Sequence, residues 1–151
     1  MINIENISEV ENYLNFLTSS HKPVFGKLDP QQMLEHLSVT LRMSNGKEKH
    51  AQFTPDDRLE GYRRFLMSDK EMPEGSKVPF MSDEAPAYLN ASIVEAKTEL
   101  MYELKDFINH FTTNPNANEM HPIFGNLNQQ EWLRLHGKHF LHHFKQFGLV
   151  G

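Results

Sequence analysis

Four of the nine histidines lie in one stretch near the carboxyl end, WLRLHGKHFLHHFKQFG at residues 132–148. They are His136, His139, His142 and His143, and the sequence around them has the apolar spacing of a helix. His139 and His143 are four residues apart, so on a helix their side chains lie one above the other, with Cβ atoms about 5–6 Å apart. Because two imidazoles at this spacing can bind one metal ion, the pair is a candidate for part of a metal site.

A third candidate ligand, His36, lies on the apolar face of an earlier predicted helix, beside Met33 and Leu37. Counted from the predicted N-caps, His36 is seventh in its helix, and His139 and His143 are eleventh and fifteenth in theirs. At about 100° per residue these positions lie within roughly 80° of one another in phase. Two helices that start in the same way would therefore turn the three histidines toward each other.

Three neutral imidazoles from two helices are typical of a catalytic metal site, because at least one coordination position stays open for water or substrate. Imidazole nitrogen suits divalent transition metals, of which zinc or nickel is expected first and iron is a further candidate. His136 is a competing choice, since it lies three residues before His139. His142 faces about 100° away from His143, so a supporting or exposed position is expected for it. The competing interpretation is that all four are core and surface histidines of an aromatic-rich helix.

The residues around the candidate ligands exclude one familiar chemistry. Phe140 stands where the HExxH motif of zinc proteases has its glutamate, so the general base of that class is missing. Gln146 is placed to orient a ligand or to contact substrate, and Glu35 or Glu103 could supply an orienting carboxylate. The phenylalanines of this helix, Phe140, Phe144 and Phe147, indicate core or dimer packing. No general acid or base can be assigned.

Composition limits the function classes further. The chain has 151 residues, no cysteine and a formal net charge of −5. Without cysteine there are no disulfides, thiolate ligands or cysteine nucleophiles, and scattered basic residues argue against a nucleic-acid surface. No window is apolar enough for a membrane span, and the first residues, Met1-Ile2-Asn3-Ile4-Glu5, lack the pattern of a secretory signal. These features predict a single cytoplasmic domain over residues 1–151 with neither nucleic acid nor membrane as a partner.

Start and stop signals predict four substantial helices and one short one. Ser8 and Glu11 form a possible capping box for a helix over about 8–19, and Asp29-Pro30 begins a helix that stops at Asn45-Gly46. A short helix is expected over 54–67, a long one from Ser92 to about Thr113, and the last from Asn128 to Gly148. No segment alternates as a strand. The expected fold is an all-α, up-and-down four-helix bundle with long connections.

Two connections are predicted to be long loops, residues 68–91 and 114–127. The first has little periodicity, and loops of this length in small domains are often functional. Its apolar residues, Phe80, Met81, Tyr88 and Leu89, could lay it over the mouth of a pocket.

A weak internal repeat links the starts of two helices. Phe25-Gly26-Lys27-Leu28-Asp29 before one resembles Phe124-Gly125-Asn126-Leu127-Asn128 before the other. Similar turns should make both helices start in the same way, although matches this short also arise from common helix-start chemistry.

Two motifs carry a resemblance to a known superfamily. QMLEHL at 32–37 and HFLHHFKQ at 139–146 resemble the DinB-like superfamily of four-helix-bundle proteins, which includes S-transferases that use bacillithiol or mycothiol. Residues 121–148 resemble the tail of an uncharacterised branch, whereas 46–91 carry no resemblance. The resemblance implies metal ligation by His36, His139 and His143, and a homodimer, since members are often dimers.

These observations predict a metal-dependent enzyme with a three-histidine site, a thiol S-transferase or hydrolase acting on a small molecule such as a low-molecular-weight thiol. The alternative is a non-catalytic metal-binding or stress-related homodimeric bundle, in which the ion only ties two helices together. A third hypothesis is a homodimeric interaction module whose histidines are incidental.

Overall fold

Helices dominate the part of the chain that the computed structural model describes, residues 1–75 and 84–151. The helices are α1 (Ile7–Phe16), α2 (Pro30–Ser44), α3 (Leu59–Met67, after a 3-10 turn at Asp56–Arg58), α4 (Ile93–Thr113) and α5 (Gln129–Gln146). Two short strands, β1 (Glu119–His121) and β2 (Gly125–Leu127), lie between α4 and α5. The predicted all-α bundle with long connections and one additional short helix is confirmed.

The helices α2 and α5 begin with the same reciprocal pair of hydrogen bonds. The Asp29 carboxylate accepts from Gln32 N at 2.8 Å, and the Gln32 side chain accepts from Asp29 N at 3.0 Å. Asn128 and Glu131 repeat this capping box at 2.9 and 3.1 Å. Because each box satisfies two backbone N–H groups at the start of the helix, it fixes where the helix starts and hence the phase of its residues.

The repeated Phe-Gly segments form similar turns before these two helices. Gly26 has φ +76° and Gly125 has φ +85°, a conformation that residues with a Cβ rarely adopt. The repeat therefore has a structural basis, as predicted.

The first helix differs from its prediction at both ends. Asn6, and not Ser8, is the N-cap, and its side chain accepts from Glu9 N at 3.3 Å. The helix ends at Phe16 because Leu17 is extended and buried.

At the start of α4, only one of the two hydrogen bonds of a capping box forms. Ser92 caps the helix by accepting from Glu95 N at 3.2 Å. The Glu95 carboxylate accepts from Ala91 N, one residue before the cap. The predicted start at Ser92 and end at Thr113 are both observed.

The core lies where α2 and α4 pack against each other, with α1 against α4 and α5 against α2 and α3. Phe140, Phe144 and Phe147 are buried in it, as expected for packing residues. Its largest fully buried side chains include Met33, Leu37, Leu41, Phe107, Phe111, Trp132, Phe140 and Phe144. The apolar faces of the helices thus hold α2 and α5 in contact.

The prediction that residues 114–127 form only a loop was wrong. Glu119 pairs with Leu127 and His121 with Gly125 in an antiparallel hairpin of three residues per strand. The hairpin is attached to α5 by Trp132, whose Nε1 donates to Glu119 O at 3.1 Å. Strands this short show no alternation that sequence reading can detect.

The connection over 68–91 is described at its two ends. Phe80 and Met81 lie outside the described residues. Tyr88 and Leu89 are 57% and 64% exposed, so they do not pack onto a pocket mouth as predicted. Polar contacts hold the second end, residues 84–91, instead, including the bond from Gln32 Nε2 to Pro86 O at 2.8 Å.

Among the described residues, no helix is both long enough and apolar enough to cross a lipid bilayer.

Candidate metal centre

His36, His139 and His143 lie side by side at the contact between α2 and α5. His36 Nε2 is 2.9 Å from His139 Nε2, which is 3.1 Å from His143 Nε2. One ring nitrogen of each residue belongs to a group whose members all lie within 4.8 Å of one another. Metal–nitrogen bonds of about 2.0–2.1 Å place two ligands of one ion about 3 Å apart, so this group could hold a metal ion. The expectation that the two helices turn these histidines toward each other is confirmed.

The group contains only these three residues. In residues 1–75 and 84–151, no further histidine, cysteine, aspartate or glutamate joins it. His139 and His143 are buried, at 8% and 6% exposure, whereas His36 is partly exposed. His36 is therefore the most exposed member of the group.

Gln146 holds the outer nitrogen of His143. The two side chains meet at His143 Nδ1 and Gln146 Oε1, 2.7 Å apart, and Gln146 Nε2 donates to Phe25 O at 3.0 Å. The sequence assigned Gln146 to ligand orientation or substrate contact, and the structure shows the first of these contacts. In contrast, the buried Nδ1 of His139 has no hydrogen-bond partner in the part of the chain that the structure describes.

His136, the competing candidate, is not part of the group. It is fully buried, and its Nε2 lies 2.7 Å from Ser44 Oγ. Since Ser44 Oγ donates to Leu41 O at 2.8 Å, the hydroxyl accepts from His136 Nε2–H. The ring stacks on Trp132 at a centroid distance of 5.3 Å. His136 is therefore a hydrogen-bonded core residue.

His142 lies beside the group and faces away from it. Its Nδ1 contacts Met72 O at 3.3 Å, and its ring packs against Phe25 at a centroid distance of 5.2 Å. Because a carbonyl oxygen only accepts, His142 Nδ1 carries the proton of this bond. The supporting position expected for His142 is the one observed.

Neither carboxylate considered as an orienting group contacts the three histidines. Glu35 accepts from Leu89 N at 3.0 Å and from Asn90 N at 2.7 Å. Glu103 accepts from Asn45 Nδ2 at 2.8 Å. The prediction failed because both residues bind backbone or side-chain donors on neighbouring segments. Glu35 thereby anchors residues 84–91 to α2, one position before His36.

The other end of the same connection is anchored to α5 by residues next to the other two histidines. Lys138 Nζ donates to Ser68 O at 2.5 Å and also to Lys70 O. His142 binds Met72 O, as described above. The described ends of the 68–91 connection therefore lie on the two flanks of the histidine group.

Comparison with protein families identifies the chain. The model described as Protein of unknown function (DUF1569) matches residues 2–148. The chain belongs to this family. Searches among curated proteins and among solved structures both give no match. The family carries no assigned activity, and its match is compatible with the resemblance to the DinB-like superfamily.

In this family member the histidines of the group are neutral at physiological pH. Burial lowers the pKa of His36 to about 4 and that of His143 to about 3, with the neighbouring histidines adding to both shifts. Burial, followed by the nearby His143 and His36, holds the pKa of His139 well below its ordinary value. Neutral imidazole is the form that ligates metals, so the site does not have to release protons before binding.

Sequence reasoning missed the residues that surround the group. Lys138 is only 3% exposed although lysine is normally a surface residue. Ser44, the partner of His136, lies on another helix 92 residues away. The available signal was that Ser44 lies eight residues, about two helical turns, after His36, and both side chains contact histidines of α5.

Proposed function

We propose that this chain is a metal-dependent enzyme in which His36, His139 and His143 hold one divalent transition metal, with zinc or nickel first and iron as a further candidate. Its reaction is a thiol S-transfer or a hydrolysis on a small molecule. The observation that carries the proposal is the convergence of three neutral Nε2 atoms with no fourth ligand among the described residues.

The donor set fits such an ion. Three imidazoles leave one or more coordination positions to water or substrate, as in catalytic zinc sites, whereas structural sites are closed by four protein ligands. A bound ion lowers the pKa of a coordinated water to about 7 or stabilises a thiolate, which supplies a nucleophile at neutral pH.

The burial of the group favours a small substrate. His139 and His143 are buried, and His36 is the more exposed of the three ligand candidates. A thiol cosubstrate is the choice favoured by the resemblance to the DinB-like superfamily, and the expected homodimer stays a prediction that sedimentation velocity can check.

The first test is the metal content of protein purified without a nickel column. We expect stoichiometric metal in the unaltered chain and none in His36→Ala or His139→Ala. His142→Ala is the matched control, because this histidine lies on the same helix turn but directs its Nδ1 at Met72 O. Absence of metal, together with no change of thermal stability on adding zinc or nickel, would rule the proposal out.

A second test separates catalysis from the non-catalytic alternative. In protein loaded with Co²⁺, an open coordination position lets a small thiol bind and change the visible spectrum. A site closed by a fourth protein ligand would leave the spectrum unchanged, and the ion would then only tie α2 to α5.

A further inference from the structure

The side chain of Gln146 lies between the metal candidate His143 and the turn that precedes α2. It is 4% exposed, and both ends of its amide make hydrogen bonds. Its Oε1 is 2.7 Å from His143 Nδ1, and its Nε2 donates to Phe25 O at 3.0 Å. The backbone of the same residue accepts from Val24 N at 2.7 Å. Gln146 is therefore held at three points.

The Phe25 carbonyl determines which way the amide faces. A carbonyl oxygen only accepts, so the group that contacts Phe25 O must be the NH₂ of Gln146. The reversed amide would place two acceptor oxygens against each other. Oε1 of Gln146 must therefore face His143.

The amide orientation in turn determines the tautomer of His143. Because Gln146 Oε1 only accepts, the proton of the neutral imidazole lies on His143 Nδ1. The lone pair is then on Nε2, the atom 3.1 Å from His139 Nε2. A ligating histidine needs this arrangement, with one nitrogen donating to a fixed acceptor and the other free for the metal.

The turn before α2 is shaped to receive this amide. Gly26 has φ +76°, and a Cβ at this position would lie 2.6 Å from Gln146 Nε2. Gly125, at the matching turn before α5, has φ +85°, but a Cβ there would meet Leu59 at 3.1 Å. The two turns are alike in backbone, and only the first touches the histidine group through Gln146.

From these contacts we propose that Gln146 is a positioning residue, which holds His143 in the Nδ1–H tautomer and thereby sets the affinity of the site for its metal. Gly26 serves the same purpose by leaving room for the Gln146 amide. The affinity part of this proposal rests on the proposed function, whereas the tautomer part concerns the metal-free protein.

The tautomer is measured first, by long-range ¹H–¹⁵N correlations of the imidazole rings in metal-free protein. His143 is assigned by the loss of its signals in His143→Asn. We expect the Nδ1–H form in the unaltered chain and in Gln146→Glu, whose carboxylate still accepts from Nδ1. In Gln146→Met, which has no acceptor there, the Nε2–H form should appear.

Affinity is then measured with Zn²⁺ and Ni²⁺ alone, by competition with a chromophoric chelator. Gln146→Met should bind about 10–100-fold more weakly, the usual loss when an outer partner of a metal ligand is removed. Gln146→Glu should recover part of that loss, because one carboxylate oxygen still accepts from His143 Nδ1 while the other faces Phe25 O. Gly26→Ala should also weaken binding, whereas Gly125→Ala, with the same backbone strain, should keep the affinity of the unaltered chain.

The outcomes separate the two proposals. A His143 tautomer and a metal affinity that are both unchanged in Gln146→Met would overturn the role of Gln146. The same conclusion follows if Gly26→Ala and Gly125→Ala weaken binding equally. If the unaltered chain binds neither ion, the proposed function and the affinity part fail together, and the tautomer measurement still decides whether Gln146 controls His143. Gln146→Glu and Gly26→Ala keep the test decisive if Gln146→Met does not fold.

Discussion

Helix α5 carries buried histidines in two neighbouring environments that differ in what the ring nitrogens face. At His136, Nε2 donates to the Ser44 hydroxyl, and the ring lies against Trp132 and Phe107. One turn later, His139 and His143 direct Nε2 at each other, and His139 also directs it at His36. In the first environment Nε2 has a hydroxyl partner on α2, whereas in the second the three Nε2 atoms face one another.

Burial alone does not distinguish a metal ligand from a core histidine on α5. Burial lowers the pKa of His136 to about 3, as it does for His143, so both rings are neutral at pH 7. The direction of the ring nitrogens separates a core histidine from a candidate ligand. Substitutions in the two environments should therefore affect different properties, stability in one and metal binding in the other.

The largest effect is expected for Trp132→Ala. This change removes a fully buried indole and its hydrogen bond to Glu119 O, and should lower the free energy of unfolding by about 3–5 kcal/mol. Denaturant unfolding measures the loss, and metal content per folded chain should stay the same. Trp132→Phe, which keeps a ring and loses the bond, is the milder comparison. Loss of metal from folded Trp132→Phe would show that the two environments are not separate.

Metal addition should stabilise the chain only through the group of His36, His139 and His143. At a free metal concentration of about 100 times Kd, a single site adds about 2.7 kcal/mol to the free energy of unfolding. The unaltered chain and His136→Phe should both show this gain, because Ser44 Oγ keeps its bond to Leu41 O. His139→Ala should show none. An equal gain in His139→Ala would place the metal elsewhere.

In metal-free protein, the pH dependence of the free energy of unfolding should show the effect of burying His136. The pKa of His136 is about 3 in the folded chain, because burial disfavours the charged ring, and about 6.5 in the unfolded chain. Between these values the unfolded chain binds a proton that the folded chain does not, so the free energy of unfolding falls as the pH falls. This contribution is about 1.4 kcal/mol for each pH unit.

Replacement of His136 by phenylalanine removes that contribution. Denaturant unfolding of metal-free His136→Phe from about pH 6 to about pH 4 should therefore show a shallower fall than the unaltered chain. Parallel curves for the two proteins would mean that His136 is protonated in the folded chain in spite of its burial.

The smallest effect is expected for His142→Ala. The change removes a partly exposed ring and one long hydrogen bond to Met72 O, which should cost about 0.5–1.5 kcal/mol and leave metal affinity unchanged. Calorimetric titration with Zn²⁺ checks the affinity. A loss of affinity as large as that of His139→Ala would make His142 a ligand.

The sequence predicted the three-histidine group because its determinants are local. Capping residues at Asp29 and Asn128 fix the first turns of α2 and α5, and from these turns the helical repeat fixes the phase of His36, His139 and His143. The same local chemistry predicted the bounds of α2 and α4. The helical bundle follows from the apolar faces of these elements.

The rest depends on contacts between distant segments. Whether His136 is a ligand was decided by Ser44, and the role of Glu35 was decided by the backbone of Leu89 and Asn90. The hairpin of β1 and β2 is stabilised by the Trp132 indole rather than by any pattern within its strands. No spacing rule contains these pairings, because they arise only when the helices have packed.

The metal ligands are identified by a diffraction experiment on crystals of metal-loaded protein, with data collected on both sides of the absorption edge of the metal. One anomalous peak is expected within bonding distance of the Nε2 atoms of His36, His139 and His143. No such peak beside His136 is expected. A peak at any other position, or none at this one in protein that contains stoichiometric metal, would contradict the assignment of these three histidines as the metal ligands.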